Sequence, residues 1–254
     1  MTSLAATLRR ASDASGTPLE LGPDGPGWMP AAELAVDRER LCNALDRIGA
    51  EMPSDRADVC AQRLVEIWAW YLAAAPAAML LAEGRLPDLS PDRVHVRLAS
   101  GPTFTAFALA AEDRAPRRPG AAGLAADLAA HLGPLVETLN ALSGRPRRAL
   151  WRGGADRLVA AFLWAGEALG RHPESVALAR EALAEETPLR GPVKVAEIDV
   201  GGNVERIQIR NGCCIWHVCA GAEVCLTCPI LCEDERAVRT REWLAERDGA
   251  ASGS

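Results

Sequence analysis

A chain of 254 residues with a net charge of −6 at pH 7 has room for one or two domains and a core that folds without staples. The acidic balance argues against a polycation built for nucleic acid, and Lys194, the only lysine among 28 basic side chains, rules out a phosphate-cradling P-loop and leaves one residue for any Schiff base. With four histidines and no G-x-G-x-x-G, G-x-S-x-G or H-E-x-x-H, dinucleotide binding and the common hydrolase chemistries have no fingerprint.

Residues 1–30 are rich in Gly, Pro, Ser and Ala and predict an irregular segment. A helical pattern begins at Asp37, with Leu41, Leu45 and Ile48 on one face, and a second starts near Ser54 as N-cap and runs through Val59, Leu64, Ile67, Trp68 and Tyr71. Its continuation from Ile67 to Ala82 is uncharged for sixteen residues. A membrane span needs about 20, so the expectation is a buried core helix, broken or kinked at Pro76, in a soluble protein. The alternation Val94 to Leu98, the turn Ser100-Gly101-Pro102 and the run Phe104 to Leu109 predict a β-hairpin. Past a basic, Pro-rich loop at Arg117 and Arg118, Leu124, Leu128, Leu132, Leu135 and Leu139 trace a helix interrupted at Gly133-Pro134, either kinked or split in two. Helices over roughly 148–169 and 172–184 follow. A second hairpin pairs 193–200 with 204–210 around Gly201-Gly202-Asn203, and a charged last helix starts near Pro229, with Glu233, Asp234 and Glu235 suiting the positive end of its dipole.

Six of eight cysteines, Cys213, Cys214, Cys219, Cys225, Cys228 and Cys232, fall within twenty residues, while Cys42 and Cys60 lie far upstream in apolar helical patterns that suit core positions. Such clustering behind an N-terminus without an apolar h-region reads as metal ligation in a reducing compartment, the cytoplasm, rather than a secreted disulfide framework. Cys225-x2-Cys228 is a knuckle common to zinc and iron–sulfur sites. Adjacent Cys213 and Cys214 close poorly on one tetrahedral ion, whereas a two-iron cluster offers sites separated in space, and Gly212 makes a sharp turn before the pair accessible. Structural zinc, disulfides and free thiols remain alternatives, and Cys219 and Cys232 are either packing thiols or alternate ligands, Cys225, Cys228 and Cys232 being a possible set of three.

The Cys-Cys-x10-Cys-x2-Cys spacing over residues 210–229 resembles the C-terminal [2Fe-2S] domain of the FhuF-type ferric-siderophore reductases. Softer similarity extends to the Ser54–Ala82 helix, the 93–110 hairpin and the Trp-containing helix of 148–170. The resemblance implies a [2Fe-2S] cluster on Cys213, Cys214, Cys225 and Cys228, with no catalytic residue beyond the cluster, and reduction of siderophore-bound ferric iron in the cytoplasm. The implied partners are a ferric siderophore and, since no nucleotide fingerprint exists, an electron-donor flavoprotein or ferredoxin; a position peripheral to the inner membrane stays open. Two alternatives stand beside this: an iron–sulfur electron carrier or binding protein without chelate reductase activity, and a zinc-stapled interaction module.

Trp216 and His217 either shield such a cluster or form a loop with an aromatic anchor; a Rieske-type role for His217 needs a second histidine, and none is close in sequence. His95 and His131 suit structural roles. Arg145, Arg147, Arg148 and Arg152 form a basic cluster for an anionic chelate or acidic partner, or a solvated face. The expected fold class is α+β, mainly helical with two small antiparallel β-hairpins and a C-terminal cysteine-rich iron–sulfur segment: residues 1–30 irregular, 31–210 a mainly helical α+β domain, 211–250 the cluster segment and last helix.

Overall fold

A computed structural model describes residues 4–52, 54–98, 104–110, 119–200, 203–219 and 221–252. The expected turns at Ser100-Gly101-Pro102 and Gly201-Gly202 and the loop at Arg117 and Arg118 lie outside the described residues. The chain runs α1 (Leu4–Ser15), β1 (Leu19–Leu21), β2 (Trp28–Pro30), α2 (Ala31–Leu34), α3 (Arg38–Glu51), α4 (Ala57–Glu83), β3 (Val94–Leu98), β4 (Phe104–Leu109), α5 (Gly120–Ser143), α6 (Arg147–Leu169), α7 (His172–Ala184), β5 (Lys194–Val200), β6 (Asn203–Ile209), a 3-10 turn at Trp216–Val218, and α8 (Glu233–Ser252). It is the mainly helical α+β architecture expected, with two antiparallel hairpins and the cysteines gathered near the C-terminus.

The N-terminal thirty residues are not irregular. Residues 4–15 contain neither glycine nor proline, and Leu4, Thr7, Leu8, Ala11 and Ser15 recur at helical spacing to form the buried face of α1. The Gly- and Pro-rich remainder is captured as two three-residue strands on either side of the first hairpin. β1 pairs parallel with β4, β2 pairs antiparallel with β3, and the sheet order is β1-β4-β3-β2. Strands this short carry almost no local signal, because their hydrogen-bonding partners lie far along the chain, Leu19 opposite Phe107 and Trp28 opposite Arg97. Pro30 is tolerated because β2 is an edge strand.

α4 is the axis of the core. It is continuous through Pro76 rather than broken there: Pro76 and its neighbours Ala73, Ala74, Ala75, Ala77 and Ala78 are all buried, and that packing offsets the lost backbone hydrogen bond. Its N-cap position is Arg56, without a side-chain cap; Ser54 instead accepts from the Arg56 amide (3.3 Å). Long and apolar enough by composition to cross a membrane, α4 is 83% buried over its most apolar window, so the core of this fold takes up that surface. α5 likewise continues through Pro134. Trp68 meets Phe107 edge-on at 5.5 Å and Tyr71 stacks on Phe107 at 5.3 Å, fastening α4 to the sheet.

α6 lies close against α4 and α5 because two of its residues have no side chain. A Cβ at Gly153 would sit 2.1 Å from Gln62 Nε2, and one at Gly154 would sit 2.5 Å from Leu132 Cδ1. That approach brings the polar groups of α4 and α6 beneath the cysteine segment. Cys60 is a core residue as expected, but Cys42 is exposed on the outer face of α3.

His131 is structural in a way that carries a pH dependence. Its Nε2 is 2.8 Å from the Leu89 carbonyl, and burial pushes its pKa down to about 4. The native state holds it neutral while the unfolded chain takes up a proton below about 6.5. Its contribution is therefore complete above that value and is lost as pH falls towards 4, a total of about 3 kcal/mol. Urea unfolding at pH 7 and pH 4.5 should show the loss, and His131→Gln should flatten the slope across that window; an unchanged slope refutes the assignment.

Candidate metal centre

The cysteine segment leaves β6 through Arg210, Asn211 and Gly212, and all three are held by Asp156 of α6. The Asp156 carboxylate accepts from the amides of Asn211 (2.8 Å) and Gly212 (3.1 Å) and meets Arg210 Nε at 3.4 Å. Gly212 is required by close approach: a Cβ there would meet Arg152 Cβ at 2.9 Å. Arg145 fixes the next residue, donating to the Cys213 carbonyl (2.9 Å) and to Gln62 Oε1 (3.0 Å).

Beneath this turn lies a buried ionic network. Glu66, in the middle of apolar α4, accepts from Gln62 (2.9 Å), from Arg157 (2.8 Å) and from Arg210 through a short contact. Burial works to raise the Glu66 pKa, but the guanidinium groups of Arg210 and Arg157 outweigh it and hold the carboxyl well below its ordinary range. Burial likewise opposes the charge on Arg210, and Glu66 reverses that effect, so Arg210 stays firmly cationic. Asp156 is raised by the same burial, moderated by the backbone amides it accepts from.

Cys213, Cys214, Cys225 and Cys228 come together as two pairs. Cys214 lies near Cys225, and Cys213 near Cys228, so each of the adjacent cysteines has one member of the Cys-x2-Cys knuckle as its neighbour. The neighbouring Cys225 sulfur and burial push the Cys214 thiol pKa up, while Cys214 lowers Cys225 to about 7, with Arg210 adding to the effect. Burial raises Cys228. Further donors aim at the sulfurs, Ile215 N–H to Cys213 at 3.3 Å and Thr227 Oγ1 to Cys225 at 3.7 Å, and His217 Nδ1 lies 3.7 Å from Cys213. Ile215 alone among the described non-glycine residues has positive φ, 54°, a conformation costly for a β-branched side chain. It lies at the N-terminal boundary of the 3-10 turn at Trp216–Val218.

The knuckle is clamped from α8, which begins at Glu233 rather than near Pro229 because the chain from Pro229 to Cys232 turns to expose carbonyls to Arg236. Arg236, buried, donates to the carbonyls of Leu226, Cys228 (3.0 Å) and Leu231 (3.0 Å), and Arg239 to Val224 (3.0 Å). The two surplus thiols have surroundings of their own. Cys219 is buried in the core within electrostatic range of Cys60, and Cys232 is exposed, its thiol pointing to Glu235 (3.7 Å).

The basic cluster predicted at Arg145–Arg152 is not one surface. Arg145 turns inward, Arg147 pairs with Glu137 (2.6 Å), and Arg148 and Arg152 line a separate basic hollow of about 340 Å³ with Arg190 and Lys194. Trp216 packs on the core and lines a cavity of about 480 Å³ that Cys214, Cys225, Thr227, Arg63 and Arg210 also line. Sequence reasoning missed Glu66, Asp156 and Arg210. Only Glu66 left a trace, as a lone acid between Val65 and Ile67 in an apolar run.

Chemically, the donor set is four thiols, soft ligands suited to zinc or iron. Among the described residues no three or more His, Cys, Asp or Glu side chains converge as ligands of one ion. Thiols that meet two by two, with the adjacent pair divided between two positions, fit a centre with two metals better than a single tetrahedral one. Compared with protein-family models and with curated proteins, the chain matches none.

Proposed function

We propose that this chain is an iron–sulfur oxidoreductase that passes one electron to siderophore-bound ferric iron in the cytoplasm, releasing it as ferrous iron. The observation that carries the proposal is the pairing of Cys213 with Cys228 and of Cys214 with Cys225 beside a cavity that Cys214 and Cys225 themselves line. The motif's resemblance to the FhuF-type reductases supplies the substrate class.

A [2Fe-2S] cluster on these four thiols would supply a one-electron donor. The residues around them have definable tasks. Ile215 N–H and the Thr227 hydroxyl hydrogen-bond cysteine sulfurs, a means by which proteins tune cluster potential. Arg210, Arg145 and Arg236 hold the segment rigid from below and from α8, limiting movement when charge changes. The open cavity lets a chelate approach the Cys214–Cys225 side without acid–base catalysis. Hard oxygen donors hold ferric iron far more tightly than ferrous iron, so one electron gained by the metal is enough to loosen the chelate. The spent electron is restored by a separate flavoprotein or ferredoxin.

The test uses anaerobically purified protein reduced with dithionite and freed of excess reductant. Adding ferric siderophore should reoxidise it with trapping of ferrous iron, one per electron. Reversible redox spectra without ferrous release would leave an electron carrier. A colourless protein with one zinc and no labile sulfide would replace the proposal with the zinc-stapled module.

A further inference from the structure

The basic hollow of about 340 Å³ is built from two stretches of chain. Arg148 and Arg152 stand one turn apart on α6, and Arg190 and Lys194 come from the segment that leads from α7 into β5. All four side chains are exposed. Glu186 offsets Arg190 (2.6 Å), but Arg148, Arg152 and Lys194 make no hydrogen bond or ion pair among the described residues. No described acidic side chain lines the hollow. The acids close by in the chain are already engaged: Asp156 by Arg210 and the amides of Asn211 and Gly212, and Glu197 of β5 by Arg206 (3.1 Å). Three cations without a counterion repel one another, so the cluster adds nothing to the fold and is explained by what it attracts.

Its position ties it to the cysteines. Asn211 is part of the hollow's wall, and Gly212 packs so closely on the stem of Arg152 that a Cβ there would meet Arg152 Cβ at 2.9 Å. Cys213 is the second residue after Asn211, no more than about 7 Å of extended chain from that wall. The cavity that Cys214 and Cys225 line shares no residue with the hollow. The cysteine segment therefore has two separate approaches, and both can be occupied at once.

We propose that the basic hollow docks an acidic ferredoxin, which delivers the electron on the Cys213 side while the cavity at Cys214 and Cys225 stays free for the acceptor. The inference rests on the reductase proposal for the direction of the electron. One electron leaves the ferredoxin's cluster, which is oxidised, and enters the centre on the four thiols, which is reduced; no bond is made or broken. A ferredoxin, as an obligate one-electron carrier, matches a centre that takes one electron. Charge supplies the orientation: a chain of net charge −6 repels an acidic protein as a whole, and a local group of cations gives the encounter its direction. Small-molecule pockets are mostly apolar with a few placed polar groups, whereas here four exposed cationic tips surround the opening, as at a protein docking rim.

Calorimetry with an oxidised, acidic plant-type [2Fe-2S] ferredoxin reads docking without turnover. At about 20 mM salt a one-to-one complex should form, and about 300 mM salt should weaken it about tenfold or more. Arg148→Glu combined with Lys194→Glu should weaken the low-salt complex by about tenfold or more. Arg152 is left in place because its stem packs on Gly212. Arg9→Glu combined with Arg38→Glu changes the net charge equally at exposed positions outside the hollow, and should stay within about threefold of wild type. Both variants should keep the wild-type circular dichroism. In stopped flow, electron transfer from reduced ferredoxin should fall with the affinity in the first variant, while ferrous release after chemical reduction stays at the wild-type rate. No complex at low salt, a complex insensitive to salt, wild-type affinity in the first variant or an equal loss in the control would each overturn the docking proposal. So would inorganic pyrophosphate bound at the hollow with no ferredoxin complex, which would make it a small-anion site. Ferrous release without a ferredoxin complex would leave the reductase proposal standing, and a complex on a protein with no reducible centre would do the reverse.

Discussion

Glu66→Ala is expected to destabilise the fold by about 3–5 kcal/mol, lowering the thermal midpoint by roughly 10 °C. The carboxylate is almost fully buried and faces two guanidinium groups, Arg157 and Arg210. Removing it leaves Arg210 buried with only Asp156 at 3.4 Å, and Asp156 is already committed to the amides of Asn211 and Gly212. Arg157 is about 29% exposed and can turn to water, so the cost falls mainly on Arg210. Since Arg210 leads directly into the cysteine segment, the loss should appear there first, as faster hydrogen exchange at residues 210–215. Glu66→Leu combined with Arg210→Met should recover much of the stability, because an apolar pair of similar volume carries no desolvation cost. A loss of under about 1 kcal/mol in denaturant unfolding would refute the network's place in the fold.

The second large effect concerns the thiols. Serine at Cys213, Cys214, Cys225 or Cys228 should each reduce cluster content per chain at least about tenfold, read as visible absorption and labile sulfide after anaerobic purification. Each pair, Cys214 with Cys225 and Cys213 with Cys228, would lose one of its two sulfurs, and the remaining one cannot hold a metal position alone. Cys219→Ser and Cys232→Ser should retain the spectrum, the former at some cost in packing, because Cys219 faces the core and Cys232 the solvent and Glu235. A spectrum lost in Cys232→Ser but kept in Cys213→Ser would move the ligand set to Cys225, Cys228 and Cys232.

Much of the helical framework was legible because its apolar periodicity is long. α6 and α7 fall within a residue of their expected bounds, α3 begins one residue after its expected start, and α4 and α5 lie where their apolar faces run. The breaks expected at Pro76 and Pro134 did not occur. Local propensity weighs one missing hydrogen bond, whereas a helix buried on nearly every side is held by packing that no short window contains. α1 was obscured for the opposite reason, a short helix beside a glycine- and proline-rich stretch that dominates the composition of its neighbourhood.

The cysteine spacing by itself determined that four thiols lie within residues 213–228, adjacency and a two-residue gap keeping them close along the chain. Which sulfur meets which, and what lies beneath them, was decided only by tertiary structure. Glu66, Arg157, Asp156 and Arg210 come from three parts of the chain, and their adjacency depends on α6 approaching α4 through Gly153 and Gly154. The basic hollow has the same origin: Arg148 and Arg152 share one face of α6, and they join Arg190 and Lys194 in one surface only when the chain beyond α7 returns against that helix.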